Sequence, residues 1–231
     1  NLLSSIFTGI DGALNPKSMA GTIRIVPVLN LPGYRTMSRY FPDGRDLNRA
    51  FPGHSKGHTT SRVACKVKKN LINDSDVIID LHSAAAGRSN MPQIRGDLSH
   101  PESNFLAKAF GIEVVLDSRP PKGSLRRVAN EMGIGTVTYE GGGANWLDQA
   151  AVKVAVHGCL NVLRSLKVIP KNPSRPRFRL NAGGSTWLRA GEGGLLDMFV
   201  SPGSVVEKGD VVATISDPGS PGLSVDIVAP E

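Results

Sequence analysis

The chain has 231 residues, of which 40% are hydrophobic and 20% are charged, which is typical of a globular protein with a sizeable core. The formal net charge is +7, yet the Lys and Arg residues are dispersed and lack the interleaved aromatic residues of a nucleic-acid stacking surface. The sequence contains no run of about 18 apolar residues and no visible signal peptide. We therefore expect neither a nucleic-acid partner nor a membrane partner.

The two cysteines, Cys65 and Cys159, lie far apart and are not in the paired spacing of a metal or redox site. We interpret them as buried thiols of a protein in a reducing compartment. The predicted location is therefore cytoplasmic.

Both ends of the sequence indicate that secondary structure elements are cut there. Residue 1 is Asn, and apolar residues follow it at helical spacing, which predicts a first helix over residues 2–10. The sequence stops at Glu231, in what reads as the middle of a turn. We interpret the chain as a fragment of a longer protein, and we expect the apolar surface that such cuts expose to favour a homo-oligomer.

The first elements after that helix are a strand over residues 22–29 and a long irregular stretch over residues 30–58. A loop of that length in a compact domain is usually functional or disordered. It contains Arg39 and the pair Asn48-Arg49. This pair is equally compatible with a solvated turn and with a guanidinium group held in place for a ligand.

A helix is predicted from Thr59 or Thr60 to about Asn73, because its apolar residues share one face and its charged residues the other. A strand follows over residues 76–83. Its four consecutive apolar residues suit a strand buried on both faces of a parallel sheet, and it should form a right-handed β-α-β unit with strand 22–29.

Helices and strands continue to alternate in the next part of the chain. They are a short strand over 92–95, a helix over 102–110, a strand over 113–116, a helix over 124–132, a strand over 135–140 and a long helix from 145 to 166 or 167. This alternation predicts the α/β class, with a mixed, largely parallel sheet flanked by helices.

Ionisable residues stand at the ends of two predicted strands. His82 follows the apolar run of strand 76–83, and Glu140 ends strand 135–140 just before three glycines. Open α/β sheets bind ligands beyond the carboxyl ends of their strands. A lone His more often bonds a neighbouring carbonyl group, but two strands that bring His82 and Glu140 to one edge favour a metal ligand and a general base.

The pattern changes beyond residue 169. Pro-rich residues 170–183 predict a linker, and four short β-like segments follow it, at 186–189, 194–200, 211–215 and 223–228. We therefore predict an N-terminally incomplete catalytic domain over 1–169, the linker over 170–183, and a small, C-terminally incomplete all-β domain over 184–231.

Three features together carry a family resemblance: DLNR at 46–49, DLHS at 80–83 and the strand-terminal Glu140. In this order they resemble the succinylglutamate desuccinylase/aspartoacylase family, which has a zinc-carboxypeptidase-like fold. The segments at 193–196 and 202–210 also resemble the small β domain of that family. The resemblance covers nearly the whole chain and implies a zinc-dependent deacylase.

The resemblance implies roles for individual residues. It makes His82 a zinc ligand, Glu140 the base that activates the zinc-bound water, Arg39 the group that polarises the scissile carbonyl, Asn48 and Arg49 the clamp on a substrate carboxylate, and Arg126, or its neighbour Arg127, a further substrate-binding arginine. Arg88 is a substrate-binding candidate on its chemistry alone. Such roles suit arginine, because a guanidinium group grips a carboxylate with two parallel hydrogen bonds.

The chain also departs from the family pattern. In the family two more zinc ligands come from an HxxE motif just before the helix that opens this chain, and nothing precedes Asn1 in the sequence. Catalytic zinc generally has three protein ligands, so His82 alone cannot hold it. We expect one zinc ion per chain in the intact protein, and an inactive, metal-free form for the isolated fragment.

The predicted function is hydrolysis of an N-acyl amino acid or a similar small carboxylate by zinc-bound water that Glu140 activates. A carboxypeptidase acting on peptides is an alternative, against which the β domain and the family resemblance argue. A second alternative is a non-catalytic carboxylate-binding protein of the same fold that has lost the metal. Attachment of lipoyl or biotin at Lys208 is disfavoured, because the Met-Lys-Met type of context is absent.

Overall fold

The computed structural model describes residues 14–144, 146–220 and 222–230. The chain divides into two compact units, Asn1–Gly184 and Ser185–Glu231. The helix predicted over residues 2–10 lies outside the described residues. No helix within the described ranges combines the length and the apolar character needed to cross a membrane.

The first unit contains five α-helices and five strands among its described residues. The helices are α1 (Leu31–Thr36), α2 (Thr59–Asn70), α3 (Pro101–Phe110), α4 (Leu125–Glu131) and α5 (Gln149–Ser165). The strands are β1 (Val77–His82), β2 (Ser89–Gly96), β3 (Val114–Asp117), β4 (Gly135–Gly143) and β5 (Leu180–Ala182). Short 3₁₀ turns occupy Pro16–Ser18, Leu47–Arg49 and Ile72–Asp74.

The helix boundaries follow local sequence signals. Helix α3 begins with a proline, whose missing N–H costs nothing in the first turn, and ends at Gly111 with a φ of 75°. The Asp148 carboxylate caps α5 by accepting hydrogen bonds from two N–H groups of its first turn. These capped helices lie where the sequence predicts helices, apart from a few terminal residues.

The five strands form one sheet in the order β1-β4-β2-β3-β5. Three of the four strand pairs are parallel, and β2 with β4 is antiparallel. The predicted mixed, largely parallel sheet is therefore confirmed. Strand β5 falls inside the segment that the sequence predicts as a linker.

The strand predicted over residues 22–29 is wrong, since no strand forms there. Ile25 and Val26 are about two-fifths exposed, and Pro27 has no N–H to donate to a ladder. The right-handed β-α-β unit expected from this segment is consequently wrong as well. Strand β1 is a sheet edge that is only partly buried along its length, rather than a strand buried on both faces.

The two faces of the sheet belong to different hydrophobic clusters. On one face, side chains of β1, β2, β3 and β4 pack against α3 and α5, with Phe110 and Val137 fully buried. Ile78 of β1 contributes to the other cluster, which joins α2, α4 and the loop that contains Leu47. Because side chains alternate along a strand, Asp80 and His82 share the face of Ile78.

The second unit has a three-stranded antiparallel sheet in the order β6-β7-β8. Its strands are β6 (Leu195–Met198), β7 (Val211–Ser216) and β8 (Ser224–Val228). The predicted small all-β domain is confirmed as a separate antiparallel sheet. The additional strand predicted over residues 186–189 is wrong.

Candidate functional site

Strand pairing brings His82 and Glu140 together. They are direct partners in the parallel register of β1 and β4, so their side chains leave the same face of the sheet side by side. His82 Nδ1 lies 3.4 Å from Glu140 Oε1. The predicted meeting of a histidine and a carboxylate at one sheet edge is therefore present in the structure.

Asp80 supplies a second carboxylate to His82. It precedes His82 by two residues on the same face of β1, and its Oδ2 lies 2.9 Å from His82 Nε2. Burial disfavours the charged imidazolium, but Asp80 and Glu140 outweigh this effect and raise the pKa of His82 to about 10. The sequence places Asp80 on this face but does not reveal the contact.

Asn90 orients the carboxylate of Glu140. Its Nδ2 donates a 3.0 Å hydrogen bond to Glu140 Oε2, so the two oxygens of Glu140 face different partners. Asn90 lies in the antiparallel strand β2, next to a register shift between residues 90 and 93. Sequence reasoning did not identify Asn90, because neither the antiparallel pairing nor the shift has a sequence signal.

The DLNR segment is attached to the start of α4. Asp46 Oδ1 accepts from the N–H of Asn48 at 2.9 Å, and Asn48 Oδ1 accepts from the N–H of Leu125 at 2.8 Å. Arg49 Nη1 donates to the carbonyl oxygen of Asn48 at 2.7 Å. Because the Asn48 oxygen is engaged with the helix, only its amide NH₂ can serve a ligand, and that is the donor a carboxylate requires.

Arg126 and Arg127 differ sharply in environment. Arg126 is only 6% exposed, and its Nη1 and Nη2 donate to the carbonyl oxygen and the hydroxyl of Ser118 at 2.8 and 3.2 Å. Burial is the main reason that its pKa is lowered. Arg127 is about half exposed and pairs with Glu131 at 2.5 Å. Of the two, Arg126 has the buried position expected of a group that holds a ligand.

Arg39 and Arg88 lie in two different segments of the first unit. Arg39 Nε and Nη2 donate to Asp46 Oδ2 at 3.0 and 2.8 Å, which ties Arg39 to the DLNR segment rather than to His82 or Glu140. Arg88 is exposed in the turn between β1 and β2, where its N–H bonds the carbonyl oxygen of Ala85. That turn leads directly to Asn90.

The donor set around His82 fits a metal in part. A carboxylate on one ring nitrogen of a histidine leaves the other nitrogen for a metal. Asp80 lies at Nε2, so Nδ1 is the nitrogen that would bind a metal, in place of its present contact with Glu140 Oε1 at 3.4 Å. Catalytic zinc needs about three protein ligands. The described residues contain no group of three His, Cys, Asp or Glu side chains that could hold a metal ion.

Two surface concavities of the first unit lie away from these residues. One of about 490 Å³ is lined by residues of α3 and of segment 173–179. The other, of about 660 Å³, is lined by the end of α5 and the residues after it. Neither is lined by a residue of β1 or β4, so the chemical groups and not the concavities identify the candidate site.

Comparison with known proteins identifies the family of the chain. A family model described as the succinylglutamate desuccinylase/aspartoacylase catalytic domain matches residues 8–166. The N-alpha-acetyl-L-2,4-diaminobutyric acid deacetylase of Halomonas elongata is 27% identical over 236 residues. That match covers 93% of this chain and 66% of the relative, so the chain spans just under two thirds of the relative's length.

Solved structures show the same fold. A succinylglutamate desuccinylase from Silicibacter sp. has a TM-score of 0.85 at 26% identity, covering 97% of this chain and 72% of its own. A succinylglutamate desuccinylase/aspartoacylase from Rhodobacter sphaeroides has a TM-score of 0.87 at 21% identity, covering 100% and 74%. The product-bound ectoine utilization protein EutE from Ruegeria pomeroyi has a TM-score of 0.85 at 24% identity, covering 99% and 73%. The chain therefore belongs to the succinylglutamate desuccinylase/aspartoacylase family, a family of deacylases.

Proposed function

We propose that the intact protein is a zinc-dependent amide hydrolase that removes the N-acyl group from an amino acid or a similar small carboxylate. The observation that carries this proposal is the pairing of His82 with Glu140 at the carboxyl ends of the apolar parts of β1 and β4. Membership of a deacylase family supports it. The Halomonas relative, a deacetylase of N-alpha-acetyl-L-2,4-diaminobutyric acid, favours an N-acyl amino acid as substrate.

His82 is the zinc ligand that these residues supply, through Nδ1, and Asp80 positions its ring through Nε2. The other ligands would have to come from residues outside the described part of the chain. When bound, zinc lowers the pKa of a coordinated water to about 7 and polarises the amide carbonyl.

Glu140 is the general base. Its carboxylate takes a proton from the attacking water and later delivers it to the leaving amine. Asn90 holds one oxygen of Glu140 by a 3.0 Å hydrogen bond and leaves the other oriented towards His82. This arrangement keeps the proton-accepting oxygen on the side where the metal ligand lies.

Polar groups of the DLNR segment and of neighbouring segments would bind and orient the substrate. The NH₂ group of Asn48 and the guanidinium group of Arg49 hold one carboxylate, and Arg126 provides a further cation. Arg39 stabilises the negative charge that develops on the carbonyl oxygen. Arg88, next to the strand that carries Asn90, is an additional contact for an anionic substrate.

The test uses the full-length gene product and this chain in parallel. We expect one zinc ion per full-length chain by elemental analysis, hydrolysis of members of a panel of N-acyl amino acids, and no hydrolysis by the isolated chain. Glu140→Gln should lower kcat by at least about 100-fold, since general base catalysis contributes 10² to 10⁴. Glu131→Gln, which changes an exposed carboxylate paired with Arg127, is the matched control.

A full-length protein without metal and without activity on any member of the panel would contradict the proposal. In that case the non-catalytic carboxylate-binding protein becomes the better interpretation. Binding of the same N-acyl amino acids without turnover would then identify it.

A further inference from the structure

Arg95 lies on the same face of the sheet as the candidate catalytic pair. Thr138 of β4 is flanked by Asp80 on β1 and Arg95 on β2. Glu140, two residues further along β4, is flanked in the same way by His82 and Gln93. Paired residues in neighbouring strands point to one face, so Arg95 occupies the row next to Glu140.

The Arg95 side chain has a donor without an acceptor. Its Nε is buried and has no hydrogen-bond partner among the described residues. Buried polar groups in native proteins are nearly always paired, and an unpaired donor costs about 1–3 kcal/mol. An acceptor supplied by a bound molecule would satisfy this group.

Arg126 is a second guanidinium group that makes no direct ion pair with a described carboxylate. It is 6% exposed and bonds only the neutral oxygens of Ser118. In the described part of the chain no carboxylate oxygen lies within 4.0 Å of a guanidinium nitrogen of Arg95 or Arg126. Buried charges are usually paired in direct contact, and a carboxylate from a ligand would supply that contact to the buried Arg126 and an acceptor to the Nε of the partly buried Arg95.

The acidic residues that favour the charge on Arg126 are Asp97, Asp80 and Glu140, and among the described residues none of them is in direct contact with it. Asp97 interacts electrostatically with Arg126, but its Oδ1 accepts hydrogen bonds from the N–H and the hydroxyl of Ser99. The positive charge of Arg95 disfavours the charged form of Arg126 and so contributes to the lowered pKa of Arg126. The two guanidinium groups are thus close enough to repel each other.

We propose that Arg95 is a specificity-determining residue that joins Arg126 in holding a carboxylate of the substrate. This inference rests on the proposed function and goes beyond it, because it assigns a residue outside the sequence motifs. The carboxylate is distinct from the one held by Asn48 and Arg49. It belongs either to the acyl group or to the side chain of the amino acid.

The experiment measures binding rather than turnover. The full-length protein carries Glu140→Gln, so that the bound compounds are not hydrolysed. Calorimetry then compares the affinity for each acid with the affinity for its neutral amide isostere. N-succinyl-L-alanine against its succinamoyl analogue tests a carboxylate on the acyl group, and N-acetyl-L-glutamate against N-acetyl-L-glutamine tests one on the amino acid. The measured quantity is the acid-over-amide preference, which is the ratio of the two affinities in each pair.

We expect Arg95→Gln to reduce that preference about 10- to 100-fold in one of the two pairs, as expected for loss of a charge-assisted hydrogen bond. Arg95→Lys should retain part of it because the charge remains. Arg62→Gln, an exposed arginine of α2, should leave it unchanged. The melting temperature of the ligand-free protein should not fall with Arg95→Gln, because an unpaired buried donor is removed.

Two results would overturn the inference. One is an unchanged acid-over-amide preference in both pairs. The other is equal weakening of acids and amides together with a lower melting temperature, which would mark Arg95 as a structural residue. Either result is independent of whether the unsubstituted protein hydrolyses amides, so this test and that of the proposed function fail separately.

Discussion

At the scale of single residues, the carboxylate of Asp80 determines which ring nitrogen of His82 can bind a metal. It lies 2.9 Å from Nε2, so whenever the ring is neutral it favours the tautomer that keeps the proton on Nε2 and leaves the lone pair on Nδ1. An amide in place of the carboxylate keeps the shape but removes the charge that favours this arrangement. Residues that orient a metal ligand change the metal affinity by about 10- to 100-fold, so the effect of this substitution can be measured.

We therefore expect Asp80→Asn to weaken zinc binding by about 10- to 100-fold in the full-length protein, as measured by competition with a chromogenic chelator. Asp76→Asn makes the same chemical change at an exposed position just before β1 and should leave the affinity unchanged. Equal affinities for the two variants would show that Asp80 does not position the ligand.

At the scale of secondary structure elements, the stretch over residues 30–58 is not irregular throughout, because it begins with α1 (Leu31–Thr36). Its remaining loop, residues 37–58, is anchored to the start of α2 by one carboxylate. Asp43 accepts hydrogen bonds from the N–H and the hydroxyl of Thr60, and its Oδ2 lies 3.1 Å from His58 Nδ1. These bonds, that of the Thr60 hydroxyl first, hold the pKa of Asp43 well below its usual range. The loop that carries the DLNR segment thereby gains a fixed end.

Thr60→Val should lower the free energy of unfolding by about 1–3 kcal/mol, because it removes a hydroxyl that is fully buried against a carboxylate. Urea denaturation measures the change. The neighbouring Thr59 is exposed, so Thr59→Val has the same size and chemistry without the buried contact and should change stability by less than about 0.5 kcal/mol. Similar losses for both variants would rule out a special role for the bond to Asp43.

The sequence predicts those elements whose residues carry a regular pattern. The sequence predicts β1 from its continuous apolar run and β4 from its residues that favour strands, Thr, Val and Tyr, and it places an ionisable residue at the end of each. Strand 22–29 was wrong because an apolar run alone does not reveal that Ile25 stays exposed. Asn90 and Arg95 were not assigned, since β2 contains Pro92 and alternates polar residues, and only its antiparallel pairing with β4 brings them to the site.

At the scale of the whole molecule, each of the two compact units has buried residues of its own. Phe110 is fully buried in the first unit, where its ring stacks on Tyr139 with centroids 5.6 Å apart. Gly158 of α5 packs so closely that a Cβ there would clash with the ring of Phe110. The second unit buries Val212 and Ala213 of β7 in its own sheet. Compact units with their own buried residues are expected to unfold separately.

Phe110→Ala should therefore destabilise the first unit by about 3–5 kcal/mol, the cost of deleting a fully buried aromatic ring, and leave the second unit unchanged. Hydrogen exchange read by mass spectrometry separates the two: amides of β4 should exchange faster in the variant, whereas those of β7 should not. Phe105→Ala, on the same helix but 44% exposed, should change neither. Faster exchange of β7 together with β4 would show that the two units unfold as one cooperative body, because the loss of one ring would then reach both sheets.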